Sequence, residues 1–179
     1  HGTDVSKRRV VGMFVGLLAG YGTIGLRLGI SLFEQTAFGV TEENLASQAA
    51  TLPYLRLVLI PLATGIVIAS LYYIGRRFGL VTEPNGKAVA DIVEARAVKG
   101  GKVDLKSGLY SALLSAISLG GGASAGREGP AVHLGGTMGS ALAAWMKMPA
   151  RASRILLACG AAAAVSASFN APVAGALFA

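Results

Sequence analysis

Charge is what this sequence has least of. Of its 179 residues only 14% are Asp, Glu, Lys or Arg, where a soluble domain carries about 25%. With 53% hydrophobic residues and a mean hydropathy of +0.60, the deficit points to a membrane protein and away from a soluble domain. Cysteine is nearly absent as well. The single Cys159 excludes an intramolecular disulfide and a multi-cysteine zinc site. It lies in a run of alanines and reads as a small packing residue. No metal-ligand cluster and no nucleophile–base pair stands out, so an enzyme is disfavoured and no cofactor is expected. Acidic residues number 9 against 16 basic ones, a net charge of +7. Such a balance suits nucleic acid or an acidic membrane surface. Here the basic residues cluster between apolar spans, which favours the bilayer and disfavours nucleic acid.

What is present is a series of apolar segments. Residues 10–33 make the first, long enough for the roughly 20 residues a helix needs to cross the hydrocarbon. Gly12, Gly16 and Gly20 repeat every fourth residue and line one helix face, where another helix approaches closely. Arg27 sits near the far end, where its stem snorkels to the interface. Residues 34–53 are polar, with Glu34, Glu42 and Glu43 and no lysine. Residues 54–75 form the second span, closed by Arg76 and Arg77. Lys7, Arg8 and Arg9 before the first span and the arginine pair after the second place both ends in the cytoplasm. The chain begins with His1 and stops inside the apolar run NAPVAGALFA. It reads as a partial transmembrane domain, 1–179, cut at both ends. The first run, VVGMFVGLLAGYGTIGL, lacks a convincing signal-peptide cleavage site.

Residues 81–106 are more polar. PNG is a turn signal, and KAVADIVEARAV has helical spacing but is too short to span. Residues 107–122 rise as an apolar helix. GGGASAGREGP, residues 120–130, then breaks that helix and opens another, about 129–146, because Pro130 suits a first helical turn. Gly135 and Gly139 stand at packing spacing on it. Pro149 starts a further segment through ILLACGAAAAVSASF, and NAP at 170–172 breaks that one before a last helix. The final four segments look shorter than ordinary spans or interrupted, the pattern of broken helices in transporters.

Arg127 and Glu128 are the only Asp, Glu, Lys or Arg between Lys106 and Lys147. A charge at mid-bilayer costs about 2.5–3.5 kcal/mol on insertion scales, so such residues are rare and usually functional. A helix start leaves backbone N–H groups unpaired and partly positive, which makes an anion site from backbone alone. Glycines let that backbone approach an ion. Glu128 is itself a tethered anion. It occupies such a site when ionised and leaves it when protonated, so one group would both gate an anion path and carry a proton. The residues alone leave open a second reading, in which the Arg–Glu pair only holds helices together. His133, a little over one turn along, reads as a packing histidine or, less simply, as a proton relay.

These residues resemble the CLC family of chloride channels and chloride/proton antiporters. GREGP followed by AVHLGG is similar to that family's second anion-site motif, and LLACGAAAAVSASFNAPVAGALF is similar to its next two helices. The resemblance covers about residues 105–179 with matching order and spacing. It implies an all-α membrane protein with the CLC-type fold of tilted and broken transmembrane helices, of which this chain is the first of two inverted halves. It further implies a multi-pass homodimer in a prokaryotic-type plasma membrane, transporting an inorganic anion, chloride foremost, together with protons. Glu128 falls at the family's gating glutamate. Backbone at Gly126, Arg127 and Gly129 would face the outer anion site. One departure stands out: where the family's first motif reads Gly-Ser-Gly-Ile-Pro, this chain has PNGKA, residues 84–88. Asn85 replaces the serine and still donates through its amide; with Gly86 it is the expected anion contact there. Lys87 is either an ordinary cytoplasmic charge or a concentrator of anions. The loss of serine bears on which anion is carried, so a passive chloride channel and a fluoride or other anion exporter of the same fold stand beside the antiporter.

Overall fold

The computed structural model describes residues 2–39, 53–81 and 88–178. Among these residues the regular secondary structure is all helical, in seven helices: α1 (Gly2–Phe38), α2 (Tyr54–Arg77), α3 (Ala88–Ala97), α4 (Leu105–Gly120), α5 (Glu128–Trp145), α6 (Ala150–Phe169) and α7 (Pro172–Phe178). Three are long and apolar enough to cross a membrane: Val10–Phe38, α2 and α6. That corrects the expectation that all four final segments are short or interrupted. Residues 150–169 make one unbroken 20-residue helix, because alanine has the best intrinsic helix propensity and outweighs the small residues around it. The first helix also runs past residue 33. It continues through Glu34 to Phe38, both buried, and Phe38 closes its end against Gly122.

α5 occupies the middle. Residues Ala131–Thr137 are buried without interruption, as a helix apolar on all sides must be. It packs most extensively on α6, with α1, α4 and α3 around the remaining sides. The α5–α6 crossing is set by glycine. A Cβ on Gly135 would strike the Gly160 carbonyl, one on Gly160 the Gly135 carbonyl, and one on Gly139 the Leu156 carbonyl. The expected packing role of Gly135 and Gly139 is therefore met, backbone against backbone. On α1, a Cβ on Gly12 would lie 3.8 Å from Cys159 Sγ and one on Gly16 4.0 Å from Ala163 Cβ, while one on Gly20 would meet nothing within 4 Å. Cys159 is a half-buried packing residue.

Polar links hold the shorter pieces. Asp104 caps α4, accepting from the Ser107 N–H at 2.8 Å. The Val103 N–H donates to the buried Ser140 hydroxyl of α5 at 2.8 Å. Tyr110 of α4 donates to the Leu71 carbonyl of α2 at 2.5 Å. Asn170, in the left-handed conformation at φ 51°, ends α6, and α7 folds back so that Gly175 lies against Ser166. The outer faces of α1 and α2 are apolar and uncovered: Met13, Phe14, Tyr54, Leu55 and Ile66 are all more than 60% exposed. Lipid tails are the solvent that tolerates such a surface.

Candidate functional site: the amino end of helix α5

α4 and α5 form a hairpin whose bend is GGASAGR. Gly122 takes φ +94°, which only glycine adopts freely. Residues 123–126 then run unhelically to Arg127, the N-cap of α5. Pro130 is the third helical residue, inside the first turn as expected. The first ladder bond of α5 runs from the Ala131 N–H to the Arg127 carbonyl at 3.1 Å. Pro130 has no N–H, so the amides of Arg127, Glu128 and Gly129 are those the helix itself leaves without an acceptor. The Arg127 side chain itself makes no capping hydrogen bond to them.

Glu128 bends back over this end. A Cβ built on Gly126 would lie 2.6 Å from Glu128 Oε2. The carboxylate therefore rests on the bare Cα of Gly126, beside the partly positive helix start, where a negative group is stabilised. A side chain on residue 126 would take the place the carboxylate oxygen holds. Arg127 lines a cavity of about 20 Å³ together with Arg27, Thr23 and Ser168, so two guanidinium-bearing side chains and a helix amino end lie in one neighbourhood. Gly126, Arg127, Glu128 and Gly129 are thus adjacent at one helix end. Asn85 and Gly86, the other expected anion contacts, and Lys87 lie outside the described residues.

A second cavity lies elsewhere. About 600 Å³ opens between α2, α3, α4 and α5, with Tyr72, Asp91, Lys99, Lys102, Asp104 and His133 among its lining residues. His133 is buried and its Nε2 lies 3.7 Å from Asp91 Oδ2. The sequence offers no partner for His133, because Asp91 is 42 residues earlier on another helix. The other wall carries Ser107, Ser111, Ser115 and Ser118 of α4, whose helical spacing is visible in SGLYSALLSAIS.

Comparison with known proteins agrees with this architecture. Residues 64–179 match the family described as "Voltage gated chloride channel". A ClcB-like chloride channel protein of Ralstonia nicotianae is 36% identical over 141 residues, covering 76% of this chain and 32% of the relative. The voltage-gated ClC-type chloride channel ClcB of Escherichia coli is 29% identical, covering 96% of this chain and 40% of the relative. Among solved structures, a slow cyanobacterial Cl⁻/H⁺ antiporter superposes with a TM-score of 0.68 at 28% identity, covering 93% of this chain and 37% of that one. The chain spans about a third to two fifths of these proteins' lengths. Its apolar helices and bacterial homologues place it in a prokaryotic plasma membrane. By the extent of the family match and the fold that carries it, the chain belongs to the voltage-gated chloride channel, or CLC, family.

Proposed function

We propose that the complete protein carrying this chain exchanges chloride for protons, with Glu128 as a protonatable gate at an anion site built from backbone. The observation that carries the reading is the Glu128 carboxylate resting against Gly126 at the amino end of α5. Ionised, it occupies the place an incoming anion needs and is held there by the helix amides and the positive potential around Arg127. Protonated, it loses that attraction and yields to chloride. Each departure of the gate thus carries a proton, which couples the two fluxes. The amides at Arg127, Glu128 and Gly129 and the open Gly126 hold the anion. Asn85 and Gly86 supply the inner contacts through an amide side chain and backbone. The functional unit is a homodimer with one path per subunit. Family members are channels and transporters, and no bond-making step belongs to this scheme.

The structural neighbour described as a Cl⁻/H⁺ antiporter supports coupling. The relative described as a voltage-gated chloride channel favours a passive channel as the second reading. Liposomes holding the complete protein and an outward chloride gradient separate them. Coupled exchange predicts chloride efflux with proton uptake, and Glu128→Gln abolishing proton uptake while chloride still leaves. Chloride efflux without proton movement would establish the channel. Fluoride flux without chloride flux would reassign the anion, with Asn85 as the residue to exchange for serine.

A further inference from the structure

Positive charge is unevenly placed in this chain. No Asp or Glu follows Glu128, yet Lys147, Arg151 and Arg154 crowd the turn between α5 and α6. The fold adds to them. The loop between α3 and α4 crosses the first turn of α6: a Cβ on Gly101 would lie 2.6 Å from the Arg154 backbone nitrogen, and one on Gly100 3.5 Å from the Ala150 Cβ. Both glycines take positive φ, +80° and +66°, which lets the loop lie that close. Lys99 and Lys102 flank them in sequence, so the loop brings its lysines to the same place.

The first helix arrives there too. Gly12 and Gly16 stand opposite Cys159 and Ala163, so α1 and α6 run parallel, and residues 7–9 are level with residues 154–156. Val11 of α1 and Met148 of the turn pack in one cluster with Val15 and Leu156, which fixes the turn beside α1. The Lys7–Arg8–Arg9 stretch therefore belongs to the same end of the molecule, the cytoplasmic end by the distribution of basic residues.

Little neutralises this gathering. Lys99 pairs with Glu94 at 3.2 Å, Asp104 is taken up in capping α4, and Asp4 precedes Lys7 on α1. Lys102, Lys147, Arg151 and Arg154 are all exposed and in no ion pair among the described residues. Lys147 holds its position at φ 52°, a left-handed conformation that glycine or asparagine adopts at lower cost. A lysine kept there against its backbone preference points to a use for its charge.

What covers the patch follows from where it lies. Arg151 and Ile155 are one turn apart on the same side of α6. Ile155 is exposed, as are Val10 and Met13 of α1. Trp145, the chain's single tryptophan, is 81% exposed at the last residue of α5, and tryptophan favours headgroup depth. Basic residues at the helix ends with apolar ones just beneath fit a molecule with phosphate at one end and hydrocarbon at the other. A soluble phosphate compound would leave the apolar part uncovered.

We propose that the α5–α6 turn, the α3–α4 loop and the amino end of α1 form a binding site for the phosphate headgroup of an anionic phospholipid in the cytoplasmic leaflet. Its acyl chains run along the exposed apolar faces of α1 and α6. Basic pockets between spanning helices on this side of a membrane hold such headgroups. The lipid ties three separate segments together at the end of α6, the helix on which α5 packs.

The test uses the complete protein in detergent, heated with dioleoylphosphatidylglycerol, dioleoylphosphatidylcholine or inorganic phosphate, with retained lipid counted by native mass spectrometry. Phosphatidylglycerol is predicted to raise Tm and to be retained, while phosphatidylcholine and phosphate at the same concentration do neither. Lys147→Gln, Arg151→Gln and Arg154→Gln together should weaken phosphatidylglycerol binding roughly hundredfold, at about fivefold per basic residue, the equivalent of about 1 kcal/mol each. Arg76→Gln with Arg77→Gln, at the end of a helix packed mainly on α4, should change it by less than about twofold. Should the triple variant fail to fold, Arg151→Gln alone should still lose about fivefold. An equal Tm rise with inorganic phosphate would reassign the patch to a free anion and overturn the lipid site. Equal effects of the two lipids, or equal losses in the α2 variant and the patch variants, would overturn it as well.

Discussion

Glu128 has two jobs in this account, and they separate by substitution. Removing its charge while keeping its shape, as in Glu128→Gln, removes the proton carrier and weakens the plug together. Gly126→Ala does something different. The added Cβ would lie 2.6 Å from Glu128 Oε2, and the atom it meets is the end of a flexible side chain. Folding stability should change by no more than about 0.5 kcal/mol, as for most surface substitutions, while the carboxylate is displaced from its resting place. Chloride efflux at neutral pH should rise, and its dependence on external pH should flatten. Efflux across a pH series measures this; an unchanged profile would show that the resting place at Gly126 does not matter to gating. The charged pair was legible in sequence because two charges in a long apolar stretch are conspicuous and costly. The Asp91–His133 contact was not, because a lone histidine on a helix face says nothing about a partner on a distant helix.

Among the helices, α5 and α6 are the elements on which the site depends, since their crossing fixes where α5 begins. The crossing is carried by Gly135, Gly139 and Gly160, each facing backbone carbonyl. Gly139→Ala or Gly160→Ala has no flexible side chain to push aside. Overpacking of this kind costs about 1–3 kcal/mol, and an equal or larger loss is expected in thermal unfolding of the detergent-solubilised protein. Gly20→Ala, with nothing within 4 Å of its added carbon, is the control and should be close to neutral. The four-residue glycine spacing announced these close approaches, and Pro130 and Asn170–Pro172 announced the helix boundaries, because their backbone preferences are local. The ends of α6 were legible at Pro149 and Asn170, but not that the 20 residues between them make one unbroken helix of spanning length: small polar residues among alanines look like interruption, although alanine favours the helix.

On the scale of the molecule, the apolar faces of α1 and α2 and the central burial of α5 describe a body made to sit in lipid around a helix end. The chain spans about a third to two fifths of its relatives, so under the proposed function the segment in isolation would supply one side of an anion path. Reconstituted alone, it should insert without conducting; anion flux from it would mean that a single half suffices. The central claim is that the Glu128 carboxylate and a free anion compete for the same place. Calorimetric titration of the complete protein with chloride tests it most directly. Glu128→Gln should bind chloride more tightly by roughly tenfold, the equivalent of about 1.4 kcal/mol released when the charged competitor is gone. Identical chloride affinity in the native and Gln proteins, both shown to be folded, would contradict it.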